Sequence, residues 1–98
     1  MRIWKYELAL IDCPEVAMPE EARVLCVQMQ NENICLWATV PEPLPIHKTD
    51  KFKSTNTIRQ FRIVGTGNPF PDGANCVYIG TVQDRSLVWH IFEKPYRG

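Results

Sequence analysis

No stretch of this chain approaches the roughly 20 consecutive apolar residues that a membrane-crossing helix needs, so an anchor of that kind is not expected. The opening M-R-I-W-K-Y-E-L-A-L-I-D lacks a long apolar segment with a small-residue cleavage site, and it reads as the mature N-terminus of a cytoplasmic protein. Net charge is missing as well, because eleven Lys and Arg balance eleven Asp and Glu. A domain that grips many phosphates is usually strongly basic, so broad nucleic-acid binding ranks low. Glycine is sparse, and neither G-x-G-x-x-G nor G-K-[ST] occurs. The segment Gly65-Thr66-Gly67-Asn68 therefore reads as a tight turn leaving a strand, with an anion-binding nest as the alternative.

The four cysteines, Cys13, Cys26, Cys35 and Cys76, contain no C-x-x-C knuckle, and His47 and His90 lie in separate segments. No metal site follows from such spacing. An even set leaves three disulfide pairings open, but three of the four thiols sit in or beside apolar strand patterns, where cysteine behaves as a small buried hydrophobe. Paired carboxylates, Ser-His-Asp and Cys-His arrangements are also missing. We read the chain as non-enzymatic, without catalytic residues or a cofactor. His90 is the only credible base, and a lone histidine on a strand is more often hydrogen-bonded into the sheet.

What the chain does have is alternation. Trp4, Tyr6, Leu8 and Leu10 alternate with Lys5, Glu7 and Ala9, the pattern of a strand with one face on a core. Cys13-Pro14 breaks it, residues 15–19 are at most a short edge piece, and 19–23 has the residues for one helical turn. Leu25, Val27 and Met29, then Ile34, Leu36, Ala38 and Val40, flank Asn31-Glu32-Asn33 as a β-hairpin with a three-residue turn. Pro41, Pro43 and Pro45 end its second strand, since proline cannot donate to a ladder. Strands resume over Thr57–Thr66, Cys76–Val82 and Leu87–Phe92, the last two joined by Gln83-Asp84-Arg85-Ser86. The expected fold is all-β: a small antiparallel barrel or sandwich of five to seven strands, one domain over 1–98, with at most one short helical turn.

The sixteen residues from Pro41 to Asn56 form the longest interruption. Loops of more than about 12–15 residues without secondary structure are uncommon in compact domains and often carry function. Charge is segregated here: residues 1–46 hold three basic and seven acidic side chains, whereas 47–62 hold five basic and one acidic. Leu44, Ile46 and Phe52 among Lys48, Lys51 and Lys53 give the apolar and basic mixture found at protein interfaces, so these six are candidate partner-binding residues; the alternative is a solvated loop. Arg59, Arg62, Trp37 and Tyr78 are candidate ligand-binding residues for a small nucleotide at a subunit interface. Basic residues interleaved with Phe52 and Phe61 leave a small nucleic-acid-binding module as a lesser alternative. Trp4, Trp37 and Trp89, with Tyr6, Phe61, Tyr78 and Phe92, are many rings for one small core, and a homodimer is the default expectation.

The ordered blocks W-K-Y (Trp4–Tyr6), M-P (Met18-Pro19), V-L-C-V-Q (Val24–Gln28), C-L-W-A (Cys35–Ala38), F-R-I-V-G-T-G (Phe61–Gly67), Y-I-G-T (Tyr78–Thr81) and L-V-W-H-I-F-E (Leu87–Glu93) resemble a family of small uncharacterised bacteriophage proteins, a domain of unknown function. The likeness spans nearly the whole chain, and Ile46–Asn56 looks like an addition relative to that pattern. The resemblance implies a phage context and no catalytic residues. It suggests an accessory protein that binds and inhibits a host defence protein in the bacterial cytoplasm, or one that sequesters a nucleotide signal.

Overall fold

Side chains that alternate between a buried and a wet face assemble here into two layers. The computed structural model describes residues 1–41 and 56–95, and these form seven strands: β1 (Arg2–Leu8), β2 (Glu15–Pro19), β3 (Arg23–Gln30), β4 (Asn33–Val40), β5 (Asn56–Gly65), β6 (Val77–Asp84) and β7 (Leu87–Glu93). The first sheet has the order β1-β4-β3 and the second β2-β5-β7-β6, with every pairing antiparallel. The fold is a small antiparallel sandwich, and neither sheet closes into a barrel. Among the described residues no helix is long and apolar enough to cross a membrane.

The core lies between the layers. Leu8, Val27, Ile34, Leu36 and Val40 of the first sheet meet Met18, Phe61, Ile63, Val82 and Ile91 of the second. Complete burial of each such side chain contributes about 1.5–3 kcal/mol, which is why the central strands β4, β5 and β7 keep a strict register. The edges are treated differently. A bulge between Val24 and Cys26 makes Leu25 the extra residue of β3, and 51% of it stays exposed, off the core face that plain alternation assigns to it. A second bulge lies between Tyr78 and Gly80 of β6. The two bulged edges pack against each other, and Gly80 is what lets them approach: a Cβ there would sit 2.7 Å from Val27 Cγ1.

Three local expectations are corrected. Leu10 leaves the strand and is 58% exposed, because β1 ends at Leu8 and Ile11 N–H bonds back to the Ala9 carbonyl. Residues 19–23 make a β-turn rather than a helical one, with Ala22 N–H donating to the Pro19 carbonyl at 2.9 Å; the short helical turn is a 3-10 turn at Gly73–Asn75. The β3–β4 turn has two residues rather than three, since Asn33 already pairs with Gln30. Asn31 and Glu32 both have positive φ, 51° and 68°, the mark of a type I′ turn.

Glu32 holds that left-handed conformation without a compensating contact of weight, its partner Arg85 being 3.6 Å away with both side chains 81% exposed. Substituting Glu32→Gly should therefore stabilise the domain by about 0.5–1 kcal/mol, since an L-residue pays a steric cost in this region that glycine does not. Thermal unfolding should show a Tm raised by several degrees. A lowered Tm would mean that the Glu32–Arg85 pair outweighs backbone strain.

Candidate interaction face

β5 sends its residues to two different surfaces. Phe61 and Ile63 point into the core, and Arg59, two residues before Phe61, lies on the same inner side at the end of the sandwich. Each of its three guanidinium nitrogens has a partner. Nε and Nη2 donate to the two carboxylate oxygens of Glu93 at 2.6 and 2.9 Å, and Nη1 donates to the Ala22 carbonyl at 2.6 Å. The two side chains are 14% and 16% exposed, and the pair borders a shallow cleft of about 280 Å³ with Glu20, Ala22 and Thr57. Burial pushes the phenol of Tyr6 above its usual range, opposed by the positive charge of Arg59.

The even residues of β5 face outward, where the register lines Arg62 up with Phe92 on β7 and Phe92 with Tyr78 on β6. The segment after β5 folds back over this row. Phe70 packs against Phe92 with ring centroids 4.7 Å apart and planes tilted by 52°, Tyr78 meets Phe92 edge-on at 5.4 Å, and the Arg62 guanidinium lies 5.0 Å from the centre of the Phe70 ring. Such cation–ring and ring–ring contacts fix side chains that solvent would otherwise leave mobile. Arg62 also donates through Nε to the Asp12 carbonyl at 3.0 Å and through Nη1 to Asp72 Oδ1. Its hydrogen bond holds the Asp72 carboxyl below the usual carboxylate range and raises Arg62 in turn. Gly73 makes this arrangement possible: a Cβ would lie 2.7 Å from the Phe70 ring.

The next row adds a polar chain. Tyr78 hydroxyl and Thr81 Oγ1 are 2.5 Å apart, Thr81 Oγ1 is 3.0 Å from His90 Nδ1, and His90 Nε2 is 2.7 Å from Thr66 Oγ1. Hydroxyls donate or accept, so both ring nitrogens are satisfied in either tautomer. His90 is thus held on the sheet surface between two threonines, the placement expected of a structural histidine. Among the described residues no group of three or more His, Cys, Asp or Glu is placed to hold a metal ion, and all four cysteines are free thiols. Cys35 is buried, and that burial raises its thiol pKa, with Lys5 lowering it and Glu7 raising it further.

The residues singled out in the sequence do not share one site. Leu44, Ile46, Lys48, Lys51, Phe52 and Lys53 lie outside the described residues. Arg59 and Arg62 project from opposite faces of β5, and Trp37 lies on the outer face of the other sheet, between Lys5 and Cys26. Phe61 is fully buried and has no face free to stack a base. Only Arg62 and Tyr78 come together, joined by Phe92. Phe70 and Asp72 complete that face and were not anticipated; an aromatic set among the turn formers Asn68-Pro69-Phe70-Pro71-Asp72-Gly73 was the available signal. A family model described as a domain of unknown function (DUF7352) matches residues 1–98. No curated protein and no solved structure matches the chain.

Proposed function

We propose that this chain, which belongs to the DUF7352 family, is a non-enzymatic accessory protein that binds and inhibits a host protein in the bacterial cytoplasm, using the outer face of β5, β7 and β6 as its contact surface. The observation that carries the reading is the set of Arg62, Phe70, Phe92 and Tyr78, fixed by ring contacts and ion pairing yet open at its rim, where Tyr78 is 57% exposed. Tyrosine and arginine held in one conformation lose little entropy on binding, which is why they dominate interface energetics. The phage setting comes from the ordered sequence blocks and remains part of the proposal. A nucleotide-sequestering role has less support: Arg59, the cation beside the cleft at the sandwich end, already spends every guanidinium nitrogen on Glu93 and Ala22.

The test begins with recovery of tagged protein from infected or expressing cells and identification of what accompanies it, followed by affinity measurement with the purified partner. Tyr78→Ala should remain folded, losing about 1–2 kcal/mol of stability with its edge contact to Phe92 and its hydrogen bond to Thr81, and should weaken the complex by about 2 kcal/mol, roughly thirtyfold. Full retention of affinity by this variant would remove the outer face from the reading.

A further inference from the structure

We infer that β1 is a self-pairing edge, joining a second copy of this chain in an antiparallel β1–β1 contact that continues the first sheet across a two-fold axis. The other described edges are blunted. β2 is five residues long and ends at Pro19, while β3 and β6 each carry a bulge and pack against one another. β1 is different: seven residues in unbroken register with β4 on one side and, among the described residues, an edge of the sheet on the other. A long regular edge of this kind is a template for another strand. It also carries exposed apolar surface, with Ile3 61% and Trp4 50% accessible.

Symmetry restricts how two copies can meet. Opposed residues in an antiparallel pair point to the same face, so a two-fold axis normal to the sheet must pass through a residue opposed to itself, with odd residues facing odd and even facing even. With Lys5 on the axis, two ammonium groups face each other, which is destabilising. With Trp4 on the axis, Lys5 faces Ile3 and Glu7 faces no charge of β1. With Tyr6 on the axis, Lys5 of each copy faces Glu7 of the other, twice, and Trp4 faces Leu8 on the core side. Directly opposed unlike charges stabilise a pair, and this register alone supplies them. Lys5 and Glu7 lie on the same outer face, opposite Trp37 and Cys35 of β4; in the single chain the Lys5 ammonium donates to the neutral, exposed Gln30 Oε1 at 2.6 Å, a bond that pairing would exchange for the carboxylate of the second copy's Glu7. The occupant that fits the edge is therefore a second copy, paired with Tyr6 on the axis.

Mixing two charge-reversed variants tests the register directly. Light scattering coupled to size exclusion should give twice the chain mass for the wild type. Lys5→Glu alone sets four carboxylates at the junction and Glu7→Lys alone sets four ammoniums, so each should run at the mass of one chain, the dimer weakened about tenfold or more. Both positions are exposed, and circular dichroism should match wild type. An equimolar mixture of the two variants should return to twice the mass, because each then meets its opposite. Overturning results are a wild type that stays single across micromolar to near-millimolar concentrations, single variants that remain dimeric, or a mixture that stays monomeric. A foreign strand as the true occupant would give the first of these.

Discussion

Phe61→Ala should destabilise the domain by about 3–5 kcal/mol, the largest effect expected of any single truncation here, measured as a drop in urea midpoint at constant slope. Phe61 is fully buried at the middle of the second sheet and belongs to the cluster that joins both layers. Its backbone is fixed from two sides: Phe61 N–H donates to the Pro14 carbonyl at 2.9 Å, and the residue pairs with Glu93. The surrounding side chains cannot collapse into the space without shifting β5 relative to β7. Domains of this size have a total stability of about 5–15 kcal/mol, so the variant should be partly unfolded at physiological temperature. A loss below about 1 kcal/mol would mean that the two layers are not held together through this ring.

Arg59→Ala should cost about 2–4 kcal/mol, because it strands the largely buried Glu93 carboxylate and leaves the Ala22 carbonyl without its donor. Breaking one side of a buried pair costs more than removing both partners. The double variant Arg59→Ala/Glu93→Ala should accordingly recover part of the loss, and denaturant unfolding of the two singles and the double forms a cycle that isolates the pair. A double variant as unstable as the sum of the singles would show that packing of the arginine stem, rather than the charge pair, supports this corner of the sandwich.

The parts of the fold legible in the sequence are those where one face of a strand is buried over several residues. Leu36 and Ala38 in β4, and Phe61 and Ile63 in β5, follow period two because a one-residue slip would expose all of them. Bulges do not announce themselves, since one extra residue such as Leu25 alters the register without altering composition. Long-range polar partners are equally hidden. Arg59 and Arg62 read alike as free cations, and the structure separates them only because Glu93, 34 positions away, closes on one and Asp72 on the other. The face carrying Arg62 and Tyr78 depends on Phe70, an aromatic among turn formers whose sequence position does not say which strand it covers; its role arises when Gly73 lets the segment fold back onto β7.

Hydrogen–deuterium exchange of the chain alone and in complex with its recovered partner tests the proposed contact surface most directly. Slowed exchange should concentrate in Thr66–Cys76, Tyr78–Thr81 and His90–Phe92, while the outer face of the first sheet around Trp37 stays unchanged. Protection confined to that first-sheet face, or no change in the second sheet at saturating partner, would contradict the account.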